Sequence, residues 1–365
     1  MELTMTLENI IKIIIYFVLI ILLYMSLKKE KNLYSNIVLI IIIALFGFYG
    51  NVSAPHPYSF DRLNYAIRFS SDFYAEAVRN SSIGLYYFES ILHCFSYNPE
   101  VLFFFVPIAY MLITIKAYKE YKCKPIVILI LFVTSYGLYG FFMYKQCFAI
   151  AIVSLSFAYF LNKKYVKAFI AVLIAMMFHE AAWIVIVVYL CLIFGNRNKV
   201  LRIFMYLSMT ICVLQYAQIN QYLVSFAGYI SPMLATQLDA YLEDDGSMTI
   251  SYNYLTILKG LPYYLITVYG IINRKRLKNI ILNYDSYMFI SVFTSLTFLA
   301  SMYMYWLWRF GTFFYFPIII FLVKIYLNTP RDKYNMYFYN AIIIVFILLI
   351  VKLLIQYYFI YGGII

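Results

Sequence analysis

Long apolar runs set between short basic clusters constrain this chain more than any other feature of its sequence. Residues 10–27, 37–48, 101–115 and 341–355 are almost wholly apolar. Runs near 18–20 residues cross the roughly 30 Å hydrocarbon core of a bilayer as helices. A segment in hydrocarbon must satisfy its backbone hydrogen bonds internally, which selects helices. A porin-like barrel is excluded, because its strands alternate polar and apolar residues. The composition agrees: 65% of the residues are apolar and 12% charged, against about 45–50% and about 25% in soluble domains. So few polar residues cannot cover a water-facing surface around a core of this size. The expected fold is all-α, a polytopic transmembrane bundle of about 12 spans (about 10–13 at the limits), as a single integral membrane domain over residues 1–365 with no soluble domain.

The net charge is +12, and its placement argues against nucleic acid as the partner. Of the 28 Lys and Arg residues, 20 fall in six clusters between apolar runs, at 28–31, 116–124, 163–167, 197–202, 274–278 and 324–333. That is the pattern of cytoplasmic loops under the positive-inside rule, and anionic membrane lipid is the partner it implies. Cys94, Cys123, Cys147, Cys191 and Cys212 show no C-x-x-C pairing or metal-ligand spacing and read as small buried hydrophobes. The first apolar run carries no small-residue cleavage site after it and reads as a retained helix.

Placing every basic cluster inside fixes the topology. Helices are expected near 8–27, 34–50, 101–118, 125–142, 146–162, 200–216, 253–273, 286–304, 308–327 and 336–358. Outer loops fall at about 51–100 and 217–251, the first with a short interfacial or re-entrant helix near 84–96. From 167 to 197 basic clusters stand at both ends of about thirty residues of chain. A straight helix would put them on opposite sides of the membrane, so two short helices broken near 178–183 are expected. The break carries His179 and Glu180 toward the outer face.

Eight basic residues lie outside the clusters: Lys12, Arg62, Arg68, Arg79, Lys145, Lys259, Arg309 and Lys352. Lys12, Lys259 and Lys352 read as snorkelling from helix ends. Arg62, Arg68 and Arg79 stand in the first outer loop, against the positive-inside bias. Lys145 stands at an outer turn and Arg309 at the outer start of a helix. Cations beside aromatics at that face suit a phosphate or diphosphate. The competing reading is pairing with Asp61, Asp72 or Glu76, or an aromatic belt touching lipid phosphate. His179 fits either a general base, a hydrogen-bond donor to a leaving group, or a ring satisfied by the backbone. No H-E-x-x-H, P-loop, GxGxxG or GxSxG is present, so neither a zinc site nor nucleotide-driven chemistry is expected.

Three local patterns then carry a resemblance. Asp61-Arg62-Leu63-Asn64-Tyr65, followed by Gly84-Leu85-Tyr86-Tyr87, is similar to a D-x-x-x-Y segment and the turn into a short helix. Tyr144-Lys145-Gln146-Cys147 precedes Phe178-His179-Glu180-Ala181-Ala182 by about thirty residues, the latter similar to F-H-x-S-A. Trp308-Arg309-Phe310 opens a late helix before Pro317. In this order the chain resembles the EpsG-like branch of the Wzy-type polysaccharide polymerases over roughly residues 50–320. Lys145 stands where arginine is common in the family, and Ala181 where serine is usual.

The resemblance implies a multi-pass enzyme of the cytoplasmic membrane that joins undecaprenyl-diphosphate-linked oligosaccharide repeat units on the outer face. O-antigen, capsule and exopolysaccharide are all open as the product. On this reading Arg309, Lys145 and Arg62 bind diphosphate, with Tyr65 and Arg68 as further substrate contacts. His179 or Asp61 is the general base, His179 ranked first. No cofactor and no metal is implied, and a chain-length regulator is a candidate partner. An O-antigen ligase or membrane acyltransferase is the first alternative, although a ligase carries its larger outer loop late in the chain. A lipid-linked oligosaccharide flippase is the second, although transporters place charges mid-helix along a central path.

Overall fold

The structure, a computed structural model, describes residues 14, 18, 59–70, 82–122, 143–194, 225, 226, 229, 251–301, 307–329, 335–338 and 340, with side chains for all of these except 59–63 and 251–259. Every regular element among them is helical. In chain order these are α1 (Ser59–Phe69), α2 (Ile83–His93), α3 (Pro99–Tyr121), α4 (Tyr144–Leu161), α5 (Tyr165–Phe178), a 3-10 turn (Glu180–Trp183), α6 (Ile184–Phe194), α7 (Ser251–Ile272), α8 (Arg274–Ile280), α9 (Tyr284–Ala300), α10 (Trp308–Thr312) and α11 (Tyr315–Asn328). Two of them, α3 with 23 residues and α4 with 18, are long and apolar enough to cross a membrane. The helices expected near 8–27, 34–50, 125–142 and 200–216, and most of 336–358, lie outside the described residues, as does most of the outer loop at 217–251.

Two compact units are present: residues 1–186, 315–327 and 331–365 form one, and 187–314 with 328–330 the other. In the first, α3 and α5 both pack on α4, and α2 packs on α3 and α5. The boundaries follow from local chemistry. Asn98 caps α3 by accepting the Glu100 N–H at 3.0 Å, and Pro99 supplies a pre-set φ at the first position. Lys122 ends the helix in the left-handed region at φ 51°. Buried hydroxyls then stitch the bundle: Tyr121 donates to the Ser154 carbonyl at 3.0 Å, and Ser156 donates to the Ala168 carbonyl at 2.7 Å. Bonds of this kind hold apolar helices together where hydrocarbon gives no hydrophobic drive.

The two ends of this bundle differ in charge. At one end Asn162 Nδ2 donates to the Glu120 carbonyl at 3.1 Å, and Lys164 pairs with the Glu120 carboxylate at 3.1 Å. The basic clusters at 116–124 and 163–167 therefore meet at the same end, as a shared side of the membrane requires. Fourteen residues of α5, about 21 Å at 1.5 Å per residue, separate that end from His179.

Two elements depart from the sequence expectation. The stretch 51–100, expected as an outer loop with one short helix, contains α1 as well as α2. The mixed run from Ser59 to Phe69 has no apolar stretch to announce a helix. The helix expected at 308–327 is divided at Phe313 and Phe314 into α10 and α11. Pro317 explains the division, since its ring excludes a hydrogen bond to the Phe313 carbonyl four residues back.

In the second unit α9 packs on both α7 and α10. Gly311 sets how closely α10 approaches: a Cβ there would lie 2.5 Å from Thr297 Oγ1 and 3.3 Å from Thr294 Cγ2. Thr297 is held in place by donating to the Thr294 carbonyl at 2.8 Å. Gly311→Ala is expected to lower the melting temperature in detergent, at an overpacking cost of about 1–3 kcal/mol. Adding Thr297→Ala removes the obstructing oxygen and should restore most of the loss.

Candidate functional site

The turn after α5 is built around one side chain. His179 leaves the helix with φ −150° and ψ 113°, an extended conformation, while its N–H still bonds the Ala175 carbonyl at 3.0 Å. Its Nδ1 accepts the Ala181 N–H at 3.3 Å and its carbonyl accepts the Ala182 N–H at 3.0 Å. The imidazole thus caps the 3-10 turn, in the way short polar side chains cap helix starts. With Nδ1 taking a proton from the backbone, the neutral ring carries its own proton on Nε2. Whatever meets Nε2 meets a donor. A base role at that nitrogen requires the tautomer that gives up the cap.

Gly84 brings the first sequence pattern onto this turn. A Cβ on Gly84 would lie 2.9 Å from Phe178 Cδ2 and 3.0 Å from both the carbon and oxygen of the Met177 carbonyl. Only glycine lets α2 sit so close to the backbone of α5. Aromatic rings extend the contact: Phe88 lies 5.1 Å from Phe148, which stacks on Phe178 at 4.8 Å. Phe148 follows Lys145 by one turn of α4, so Lys145 and His179 belong to the same end of the bundle, opposite the lysine-rich one. Lys145 itself is half-buried.

α1 joins through a buried ion pair. Arg68 Nη2 donates to Glu89 Oε1, with side-chain exposures of 9% and 3%. Arg68 Nε has no hydrogen-bond partner among the described residues. The guanidinium lies 5.3 Å over the Tyr65 ring, and Tyr65 lies 4.8 Å from Tyr144 at the start of α4. Burial pushes the Glu89 carboxyl above its ordinary value, while Arg68 first, then His93 and Lys145, pull it down. His93, one turn after Glu89, places Nε2 2.6 Å from the Phe69 carbonyl.

The residues nominated by sequence therefore divide. Lys145, Tyr65, Arg68 and His179 are brought to one end of the first unit. Arg68 and Tyr65 are committed to contacts within the protein. Asp61 and Arg62 lie near the start of α1, one to two turns before Arg68, with side chains outside the described residues. Arg309, on α10, belongs to the second unit. Among the described residues no group of His, Cys, Asp or Glu could hold a metal ion. Sequence reasoning passed over Glu89 and His93. The available signal was a carboxylate in the buried row Leu85, Glu89, Leu92 of an otherwise apolar helix face.

The Glu89 shift has a testable sign. A carboxyl raised on folding contributes most to stability below its unfolded value, and that contribution is lost as pH rises through the folded value. Arg68→Met removes the strongest opposing charge and should destabilise by about 3–5 kcal/mol at alkaline pH. The loss should shrink as Glu89 takes up a proton, so melting in detergent at pH 8 and pH 5 distinguishes the two. Adding Glu89→Leu should recover most of the stability at both values.

The comparisons bear on the whole of this arrangement. No curated protein and no solved structure matches the chain. The EpsG family model matches residues 58–363, which covers α1, the Gly84 seat, Lys145, the His179 turn and Arg309. The chain belongs to the EpsG family and is a membrane protein of polysaccharide biosynthesis.

Proposed function

We propose that this protein is a polysaccharide polymerase. It transfers a growing glycan from its undecaprenyl-diphosphate carrier to the sugar end of a new lipid-linked repeat unit, at the outer face of the cytoplasmic membrane, as a multi-pass enzyme. One observation carries the reading. Lys145, the His179 turn and the Gly84 helix come from three separate stretches of sequence and meet at the bundle end opposite the lysine clusters. A cation and a donor imidazole at the end remote from the basic face suit an anionic group presented from the other side.

The chemistry asks little beyond this. As the glycosidic bond to the diphosphate breaks, negative charge grows on the leaving oxygens, and fixed cations and donors offset it. Lys145 supplies a point charge without the fork of an arginine. His179 donates from Nε2, its orientation fixed by the cap at Nδ1. Arg309 and Arg62 are the further cations that the sequence nominates for diphosphate, and the reaction handles two lipid diphosphates. The proton released by the acceptor hydroxyl needs a base, for which Asp61 is the remaining nominee from sequence. Departure of the diphosphate drives the transfer without nucleotide.

A deletion strain should accumulate single lipid-linked repeat units and lack polymer. Restored with variants at matched abundance, Arg309→Ala should give no polymer, Lys145→Arg should remain active, and Lys352→Ala should be near normal. His179→Ala should lose about 10–100-fold, the worth of a hydrogen bond to a charged group, whereas His179→Gln retains a donor and much of the activity. Equal, mild effects at Arg309 and Lys352 would contradict a diphosphate role, and polymer in the deletion strain would remove the polymerase reading.

A further inference from the structure

We propose that His93 is the base that accepts the proton of the acceptor sugar hydroxyl, an inference that rests on the polymerase reading. The two histidines of this region are held in opposite tautomers. A carbonyl oxygen only accepts, so the 2.6 Å contact from His93 Nε2 to the Phe69 carbonyl requires the proton on Nε2. The neutral ring then keeps its lone pair on Nδ1, which has no hydrogen-bond partner among the described residues. In His179 the same nitrogen is occupied by the Ala181 N–H. Of these two rings, His93 is the one that presents a basic nitrogen.

The ring is also fixed in direction. It lies 4.3 Å from the Phe69 ring and stacks on Tyr97 at 4.6 Å with planes 20° apart. The Nε2 bond sets its rotation within that stack. Tyr97 is 68% exposed, so its other face is open to a flat apolar surface such as that of a sugar ring. A base held by packing and a hydrogen bond needs no reorganisation when the proton arrives.

His93 is the last residue of α2, where the unpaired carbonyls carry partial negative charge. Glu89 stands one turn back on the same helix, with its carboxylate bound to Arg68. Arg68 and Lys145 also face Glu89, and Arg68 holds its carboxylate in place. In the step itself the acceptor hydroxyl oxygen forms a bond to the anomeric carbon of the donor glycan. The bond from that carbon to the diphosphate oxygen breaks, and the electron pair leaves with the diphosphate. The hydroxyl proton passes to His93 Nδ1 and from there to water.

The test is turnover of the purified full-length protein on lipid-linked repeat units at several pH values. A glutamine amide overlays Nε2, so His93→Gln can keep the Phe69 bond while removing the base. His93→Gln should lower kcat by about 10²–10⁴-fold with KM within a few-fold of the parent, and it should abolish the fall in rate at acid pH. Added imidazole should restore part of the turnover of His93→Ala. Near-normal kcat in His93→Gln, or a loss that leaves the acid limb in place, overturns the assignment. If Asp61→Asn removes that limb instead, the base is Asp61. Full activity in Arg309→Ala would count against the diphosphate reading and not against His93 alone.

Discussion

The seat of Gly84 against the Met177 carbonyl is the contact on which the first unit depends. It draws a short helix from the early part of the chain onto the end of α5, where a Cβ would stand 3.0 Å from backbone atoms that cannot move aside. Everything chemically distinctive follows from that approach. Phe88 reaches Phe148, Phe148 stacks on Phe178, and Glu89 is carried inward to the guanidinium of Arg68. Because the carboxylate is desolvated, the pair is a matter of specificity more than of net stability. It joins α1 to α2 in one arrangement and leaves a buried charge if either partner is lost.

Much of this was legible from sequence because the bilayer simplifies the problem. The apolar runs announced α3 and α4, and basic clusters at both ends of about thirty residues called for the break after Phe178. Asn98, Pro99 and Glu100 mark the start of α3 by ordinary capping chemistry. The meeting of the lysine clusters at 116–124 and 163–167 around Glu120 is what a common side of the membrane demands.

What escaped the sequence is pairing across distance and the state of single atoms. Arg68 and Glu89 are 21 positions apart, and nothing local links them. Arg68 read alone as an exposed cation for substrate, yet it is buried against a carboxylate. Which nitrogen of a histidine bears the proton depends on partners that only folding supplies. His179 therefore emerges as a donor and His93 as the ring with an open lone pair. Pro317, by contrast, was a readable signal: its ring forbids the helix that hydropathy alone extends through Phe313.

The account rests on the polarity of this unit, with the Lys145, His93 and His179 end outside and the Glu120–Lys164 end inside. Labelling by a membrane-impermeant maleimide tests this directly, on single cysteines in an otherwise cysteine-free chain. Glu180 and Lys164 are both exposed and stand at opposite ends of α5. A cysteine at Glu180 should react in intact cells, and one at Lys164 only after permeabilisation. Labelling of the Lys164 position in intact cells, with protection at Glu180, would contradict the outer-face site.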